Sequence, residues 1–227
     1  MYRHSVLAGV ILAAAVTTVS ASCACAQEFT ADLKGVNEIG SIPTAFPAIA
    51  STPSPSSPTG YTGAVRSDGM GTATLELDQK AGTIDYKLTY SNVGETEPQT
   101  GTVSQAHIHF GKSRDSGGIL VFFCTNIPLP ATFTGPTPQS CPQNSGTVTG
   151  TWTAKDVQAI LGQNVMAGDF AALVEALESN TAYANIHTTS GTTPDTAFPA
   201  GEIRGQIHEG DLDKKHDHHD NDHHEHR

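Results

Sequence analysis

The pattern of apolar and polar positions along the chain predicts a mainly β, antiparallel fold. Between residues 28 and 208, short stretches alternate apolar and polar side chains, and turn-forming residues separate them. Such alternation places one face of each strand in a core. The spacing favours a β-sandwich or a Greek-key, barrel-like sheet. The predicted strands are 28–36, 61–67, 72–78, 83–90, 105–111, 119–124, 147–153, 181–188 and 201–208.

Two short stretches have helical rather than strand periodicity. Thr153 can cap a helix over residues 154–161, and Asp156 stands at the position that completes a capping box. Asp169 can cap a second helix over residues 170–178, where apolar residues recur at helical spacing. We therefore expect one or two short helices that cover one side or one end of the sheet.

Residues 1–26 have the parts of a secretory signal peptide. A charged start precedes an apolar run over residues 6–16, and small residues follow, so we expect cleavage after Ala26. The apolar run is too short for a transmembrane span. A lipoprotein acylated at Cys23 or Cys25 is the alternative, and it is disfavoured because no branched apolar residue precedes either cysteine at the usual distance. The sequence thus predicts a secreted or periplasmic protein.

The remaining chain divides into one domain, residues 27–210, and a tail, residues 211–227. Five prolines in the Pro/Ser-rich segment 41–60 predict a long surface loop inserted after the first strand. Removal of the signal peptide takes away one arginine and no acidic residue, so the formal charge of −11 becomes −12. Such an acidic protein is a poor partner for nucleic acid or anionic lipid, and cations are favoured instead.

Two cysteines, Cys124 and Cys141, remain after cleavage. In an exported protein a single pair most simply forms one disulfide, which here would tie down the proline-rich loop over residues 125–146. Paired cysteines cannot serve as metal thiolates or nucleophiles. Candidate binding or catalytic groups must therefore be other side chains.

Three predicted strands each carry polar residues on one face, opposite small or β-branched residues; on the last strand these polar residues are Glu202, Arg204, Gln206 and His208. If these strands are neighbours, six of these side chains, two from each strand, form one polar patch. The pairs are His107 with His109, Asn185 with His187, and Glu202 with Arg204.

The three histidines of this patch are candidate metal ligands. Three imidazoles with an open position suit copper or zinc. The alternative is that the histidines bond to neighbouring carbonyls or carboxylates and organise the local loops. For the other members we predict structural roles: Asn185 as a hydrogen-bonding residue, and Glu202 and Arg204 in a cross-strand or same-face ion pair. Glu202 as a metal ligand is the disfavoured alternative.

The tail over residues 211–227 has almost no apolar residue and is predicted to be disordered. Its histidines alternate with aspartate and glutamate, which makes a flexible polydentate surface for divalent transition metals. The alternative is a charged, solubilising tail that binds metal only incidentally. The six histidines lie within eleven residues and are His216, His218, His219, His223, His224 and His226.

Several separated segments resemble the CHRD domain, the module first described in chordin and common in secreted microbial proteins. They are AHIHFG at 106–111, YANIHT at 183–188 and GEIRGQI at 201–207, preceded by ADLKGVNE at 31–38. The resemblance covers roughly residues 29–208. It implies a secreted β-sandwich or barrel-like domain, and it implies no known reaction.

These observations leave three hypotheses of function open. The first is an exported, non-enzymatic binding domain that binds divalent metal through its tail and the His107/His109/His187 patch. The second is a copper-dependent redox enzyme, because the His-x-His strand and its glycine loop resemble the copper-ligand strand of Cu,Zn superoxide dismutase. The third is a cell-surface module that recognises an unidentified extracellular protein, as the chordin resemblance suggests. No nucleophile elbow or dinucleotide fingerprint occurs, so we predict no catalytic residues.

Overall fold

Nine strands form one antiparallel sheet in the part of the chain that the computed structural model describes, residues 26–39, 63–97, 101–189 and 197–210. One α-helix, α1 (Phe170–Glu178), joins them. The strands are β1 (Gln27–Lys34), β2 (Met70–Asp78), β3 (Thr83–Ser91), β4 (Thr102–Phe110), β5 (Ile119–Thr125), β6 (Gly146–Trp152), β7 (Ala182–Thr189), β8 (Ile203–Gln206) and β9 (His208–Glu209). The predicted signal peptide (apart from Ala26), the loop over 41–60 and the tail lie outside the described residues.

The sheet curls until its two edge strands meet. The strand order is β5-β4-β7-β8-β1-β2-β3-β6, with β9 paired to β1. At the junction of the edges, the indole Nε1 of Trp152 in β6 donates a 2.9 Å hydrogen bond to the carbonyl oxygen of Phe122 in β5. The result is a nearly closed, barrel-like sheet, which confirms the predicted mainly β, antiparallel fold class.

The core lies inside this curled sheet, on the face that alternation predicted. In β1, Phe29 and Leu33 are almost completely buried, and in β3 the same holds for Ile84 and Leu88. Burial of side chains of this size stabilises a fold by about 1.5–3 kcal/mol each. Helix α1 adds Leu173, Ala176 and Leu177 to the core.

The helix predicted over residues 170–178 is confirmed, with its cap. The Asp169 carboxylate accepts a hydrogen bond from the Ala172 backbone N–H at 3.1 Å, which satisfies one of the donors that a helix start leaves open. None of the helices among the described residues is both long and apolar enough to cross a membrane.

The helix predicted over residues 154–161 is wrong. The capping box of Thr153 and Asp156 does form, but it starts only a 3-10 turn over Ala154–Asp156. The backbone N–H of Gln158 donates to the carbonyl oxygen of Leu120 in β5 at 2.8 Å, so the chain is drawn into extended contact with the sheet. The tertiary hydrogen bond outweighs the local helical signal.

Two predicted strands also differ from the structure. Residues 63–67 form no strand, although the Val65 N–H donates to the Gly35 carbonyl oxygen at 2.8 Å. The strand predicted over residues 201–208 is divided into β8 and β9, because the Ile207 N–H still bonds to Ala182 in β7 while His208 pairs with Thr30 in β1. The chain therefore leaves β7 after Ile207 and continues alongside β1, with which β8 is already paired.

The predicted disulfide between Cys124 and Cys141 is present, with both cysteines buried. It joins β5 to the long loop that precedes β6. Substitution of both cysteines by alanine should lower the free energy of unfolding by about 3 kcal/mol, because the bridge restricts the unfolded chain. Urea denaturation of the double variant and the oxidised parent measures this difference, and equal midpoints would contradict the expectation.

Candidate metal centre

Three histidines converge on the face of the sheet that points away from the core. Strand β4 pairs with β7 so that His107 stands opposite Asn185, and His109 opposite Tyr183. The nearest ligand atoms of His107, His109 and His187 all lie within 4.8 Å of one another. The structure thus brings together the three histidines that strand parity selected.

This face is covered rather than open to solvent. His107 is 1% exposed and His187 is 7% exposed. The rings of Phe122 and His107 form a T-shaped contact, with a centroid distance of 5.1 Å. On the other side, the Tyr183 ring stacks on His109 at 4.7 Å with an interplanar angle of 7°. His109 is half-buried, and the imidazoles line a small, partly open cavity with aromatic walls.

Backbone carbonyls fix which ring nitrogen of two histidines carries the hydrogen. His109 Nδ1 lies 2.8 Å from the Gly117 carbonyl oxygen, and His187 Nδ1 lies 2.9 Å from that of Pro199. A carbonyl only accepts, so each Nδ1 is the donor, and each Nε2 presents a lone pair. Hydrogen bonds of this kind orient metal-ligating imidazoles in proteins.

The Nε2 lone pairs have no hydrogen-bonding partner among the described residues. Nε2 of His109, Nε2 of His187 and both ring nitrogens of His107 are buried without one. A buried polar atom left unsatisfied costs about 1–3 kcal/mol. The cluster is thus a group of buried lone pairs that an ion could satisfy together.

The imidazoles are held in the neutral form that binds metals. Burial lowers the pKa of His107 well below its usual value, and the neighbouring His187 and His109 lower it further. Burial, followed by the charge of His187, lowers the pKa of His109 to about 3. Burial also lowers the pKa of His187, against the opposing effects of the Pro199 carbonyl and the Glu38 charge. None of the three needs to lose a proton before it binds metal near neutral pH.

The cluster is slightly wider than a closed metal site. Around zinc with metal–nitrogen bonds of about 2.0–2.1 Å, tetrahedral ligand nitrogens stand about 3.4 Å apart. From the 4.8 Å span, the most distant pair of ligand nitrogens must approach each other by about 1.4 Å. Side-chain rotation on two adjacent strands is sufficient for a change of this size, so the residues present fit such an ion.

Asn185 and Arg204 support the cluster from β7 and β8. The Asn185 Nδ2 donates to Glu38 Oε2 at 2.7 Å and to the Ile203 carbonyl oxygen at 2.9 Å, as expected of a structural hydrogen-bonding residue. The Arg204 guanidinium lies 3.3 Å from the ring centre of Tyr183. Arginine, tyrosine and His109 therefore form a continuous stack behind the cavity.

The predicted ion pair between Glu202 and Arg204 is replaced by separate contacts. Glu202 Oε1 accepts from Ser67 Oγ at 2.7 Å and from the Gly94 N–H at 2.9 Å, and its Oε2 accepts from Thr188 Oγ1 at 3.1 Å. Glu202 precedes β8, so strand alternation does not extend to it. Its carboxylate reaches Thr188, on the opposite face of β7 from His187. Glu202 is therefore not a member of the histidine patch.

Among the residues that border the cavity and were not selected from the sequence are Tyr183 and Glu38. Tyr183 has the same strand parity as Asn185 and His187, so the alternation argument could have found it. Glu38 follows the 3-10 turn Gly35–Asn37, where no periodic pattern operates. The six tail histidines lie outside the described residues.

A family model described as the CHRD domain matches residues 29–207. This range runs from β1 to the residue between β8 and β9, so it includes all three histidines of the cluster. A comparison with curated protein sequences found no match. The family model spans well over half of the chain, and the chain belongs to the CHRD domain family.

Proposed function

We propose that this protein is an exported, non-enzymatic binding protein whose domain holds one zinc or copper ion on His107, His109 and His187. The observation that carries the proposal is the set of buried, partnerless Nε2 lone pairs within one cavity. Hydrogen bonds from Nδ1 to Gly117 and Pro199 aim two of the rings. Structural histidines in a covered site normally have partners for both nitrogens.

The ligand set favours zinc or copper over harder cations. Imidazole nitrogen suits zinc and copper, whereas calcium and magnesium prefer oxygen. Cys124 and Cys141 are joined to each other, so neither offers a thiolate. The cavity, about 170 Å³ in volume, leaves room beside three protein ligands for a water or another small ligand.

The tail supplies a second, different kind of metal site in this proposal. Six histidines interleaved with carboxylates bind zinc, nickel or copper without a fixed geometry. We assign to the tail a weaker binding of several ions, and to the domain the tighter binding of one. Substitution of the tail histidines or of the domain histidines distinguishes these two kinds of binding.

Export is part of the same proposal. The disulfide supports an oxidising compartment, and the amino-terminal sequence supports a signal peptide cleaved after Ala26. Mass spectrometry of the exported protein should give a chain that begins at Gln27. A mass that retains residues 1–26, or that carries acyl chains on Cys23 or Cys25, would replace this part of the proposal.

Calorimetric titration with Zn²⁺ and with Cu²⁺ tests the metal assignment. The tail variant, in which all six tail histidines are glutamine, should still bind one ion. His107→Ala in the tail variant should weaken that binding by more than about 100-fold, since loss of an outer-shell partner alone costs 10–100-fold.

A matched control variant distinguishes metal binding by the domain from metal binding by the tail. His208→Ala in the tail variant removes an exposed histidine outside the cluster and should leave the binding of one ion unchanged. If the tail variant binds neither metal while the parent binds several ions, the metal belongs to the tail alone and the domain assignment is wrong.

A further inference from the structure

Glu38 is a buried carboxylate at the edge of the histidine cavity. Its side chain is 4% exposed. Oε1 accepts a hydrogen bond from the Ile39 N–H at 3.0 Å, and Oε2 accepts one from Asn185 Nδ2 at 2.7 Å. Asn185 lies directly opposite His107 in the sheet. The carboxylate is therefore fixed in place beside the three histidines.

This carboxylate also borders a second, larger space. A groove of about 620 Å³ runs along the outside of β1 and β8, and Glu38 lines both the groove and the histidine cavity. Among the described residues that line the histidine cavity, Glu38 is the only acidic one. Other residues along the groove are Thr30, Asp32, Asn37, Arg114, Arg204 and His208.

A divalent cation that enters the histidine cavity from the groove needs a negative charge nearby. The three imidazoles are neutral and their Nε2 atoms are buried, so an ion that binds them brings its charge into a region of lowered dielectric constant. A carboxylate beside the cavity offsets that charge. Glu38 borders both the groove and the cavity, so its negative charge also favours transfer of the ion from one to the other, and electrostatic attraction of this kind raises association rates.

We infer that Glu38 is the carboxylate through which a divalent transition-metal cation passes from the groove to the histidine cavity, and the charge that balances the ion once bound. The inference rests on the proposed function of the histidine cluster. Glu38 acts here as a positioning and transfer residue, and the permanent ligands remain the histidines.

The test uses Co²⁺ as the probe, because its visible absorption reports binding to the buried cluster. In stopped-flow mixing, Glu38→Gln in the tail variant should bind Co²⁺ at least about tenfold more slowly than the tail variant itself. Its equilibrium affinity should also fall by about tenfold or more. Glu76→Gln removes the same charge from an exposed position on β2 and should change neither value by more than about twofold.

Further comparisons distinguish transfer from a merely structural role. Glu38→Asp keeps the charge and should bind faster than Glu38→Gln. If Glu38→Gln lowers the urea midpoint but its folded molecules bind Co²⁺ at the parent rate, Glu38 only supports Asn185 and the inference is overturned. Failure of the tail variant itself to bind Co²⁺ would instead overturn the proposed function.

Discussion

We expect the metal-free protein to lose folding stability steeply as the pH falls from 6.5 to 5. In the folded state, burial lowers the pKa of His107, His109 and His187, and that of His109 falls to about 3. In the unfolded chain they titrate near 6.5. Between these values the unfolded state binds more protons than the folded state, so protonation favours unfolding. Each histidine contributes up to about 1.4 kcal/mol per pH unit.

Urea denaturation of the metal-free protein at pH 7, 6 and 5 measures this effect. Most carboxylates remain ionised above pH 5, so they contribute little to the change in stability over this interval. Above pH 7 the histidines are neutral in both states, and their contribution should no longer change. The tail variant serves as the control, and it should show the same slope. A stability that is constant between pH 7 and 5 would mean that the three imidazoles accept protons in the folded protein.

The second large effect is expected at Glu202. Its fully buried carboxylate accepts hydrogen bonds from Ser67, Gly94 and Thr188, which belong to three separate segments of the chain. Glu202→Ala leaves these donors without their acceptor, and those of Gly94 and Thr188 are buried away from water. We expect the free energy of unfolding to fall by about 3–5 kcal/mol, because each buried donor left unsatisfied costs about 1–3 kcal/mol.

Two measurements together test the role of Glu202. Thermal or urea denaturation gives the loss of stability, which should be smaller for Glu202→Gln because its amide oxygen still accepts. Metal titration of the folded variants should give the parent affinity, because Glu202 is not a member of the histidine cluster. An unchanged stability combined with a loss of metal binding would reverse this assignment.

Strand parity predicted the histidine cluster because alternation is a geometric property of any strand. His107 and His109 had to share a face, and so did Asn185 and His187. The antiparallel pairing of β4 with β7 then placed the two faces side by side. No parity argument could show that this face is covered, since its cover comes from loops without a periodic pattern.

Strand parity does not place two glutamates, Glu202 and Glu38, correctly. Parity selected Glu202, which lies just before β8 begins and so escapes the alternation. It passed over Glu38, which reaches the cavity through a contact with Asn185, 147 residues away along the chain. Likewise, the helix predicted over residues 154–161 failed because of a hydrogen bond to β5. Contacts of this range depend on the assembled sheet.

The loop over residues 111–118 covers the cavity, and it is held almost entirely by its backbone. Arg204 donates to the carbonyl oxygens of Lys112 and Asp115, and Gln206 donates to that of Gly111. His109 binds the carbonyl oxygen of Gly117. The side chains of residues 112–115 are exposed. Substitutions can therefore change these exposed side chains, and with them the surface that a partner contacts, while the loop stays in place over the cavity.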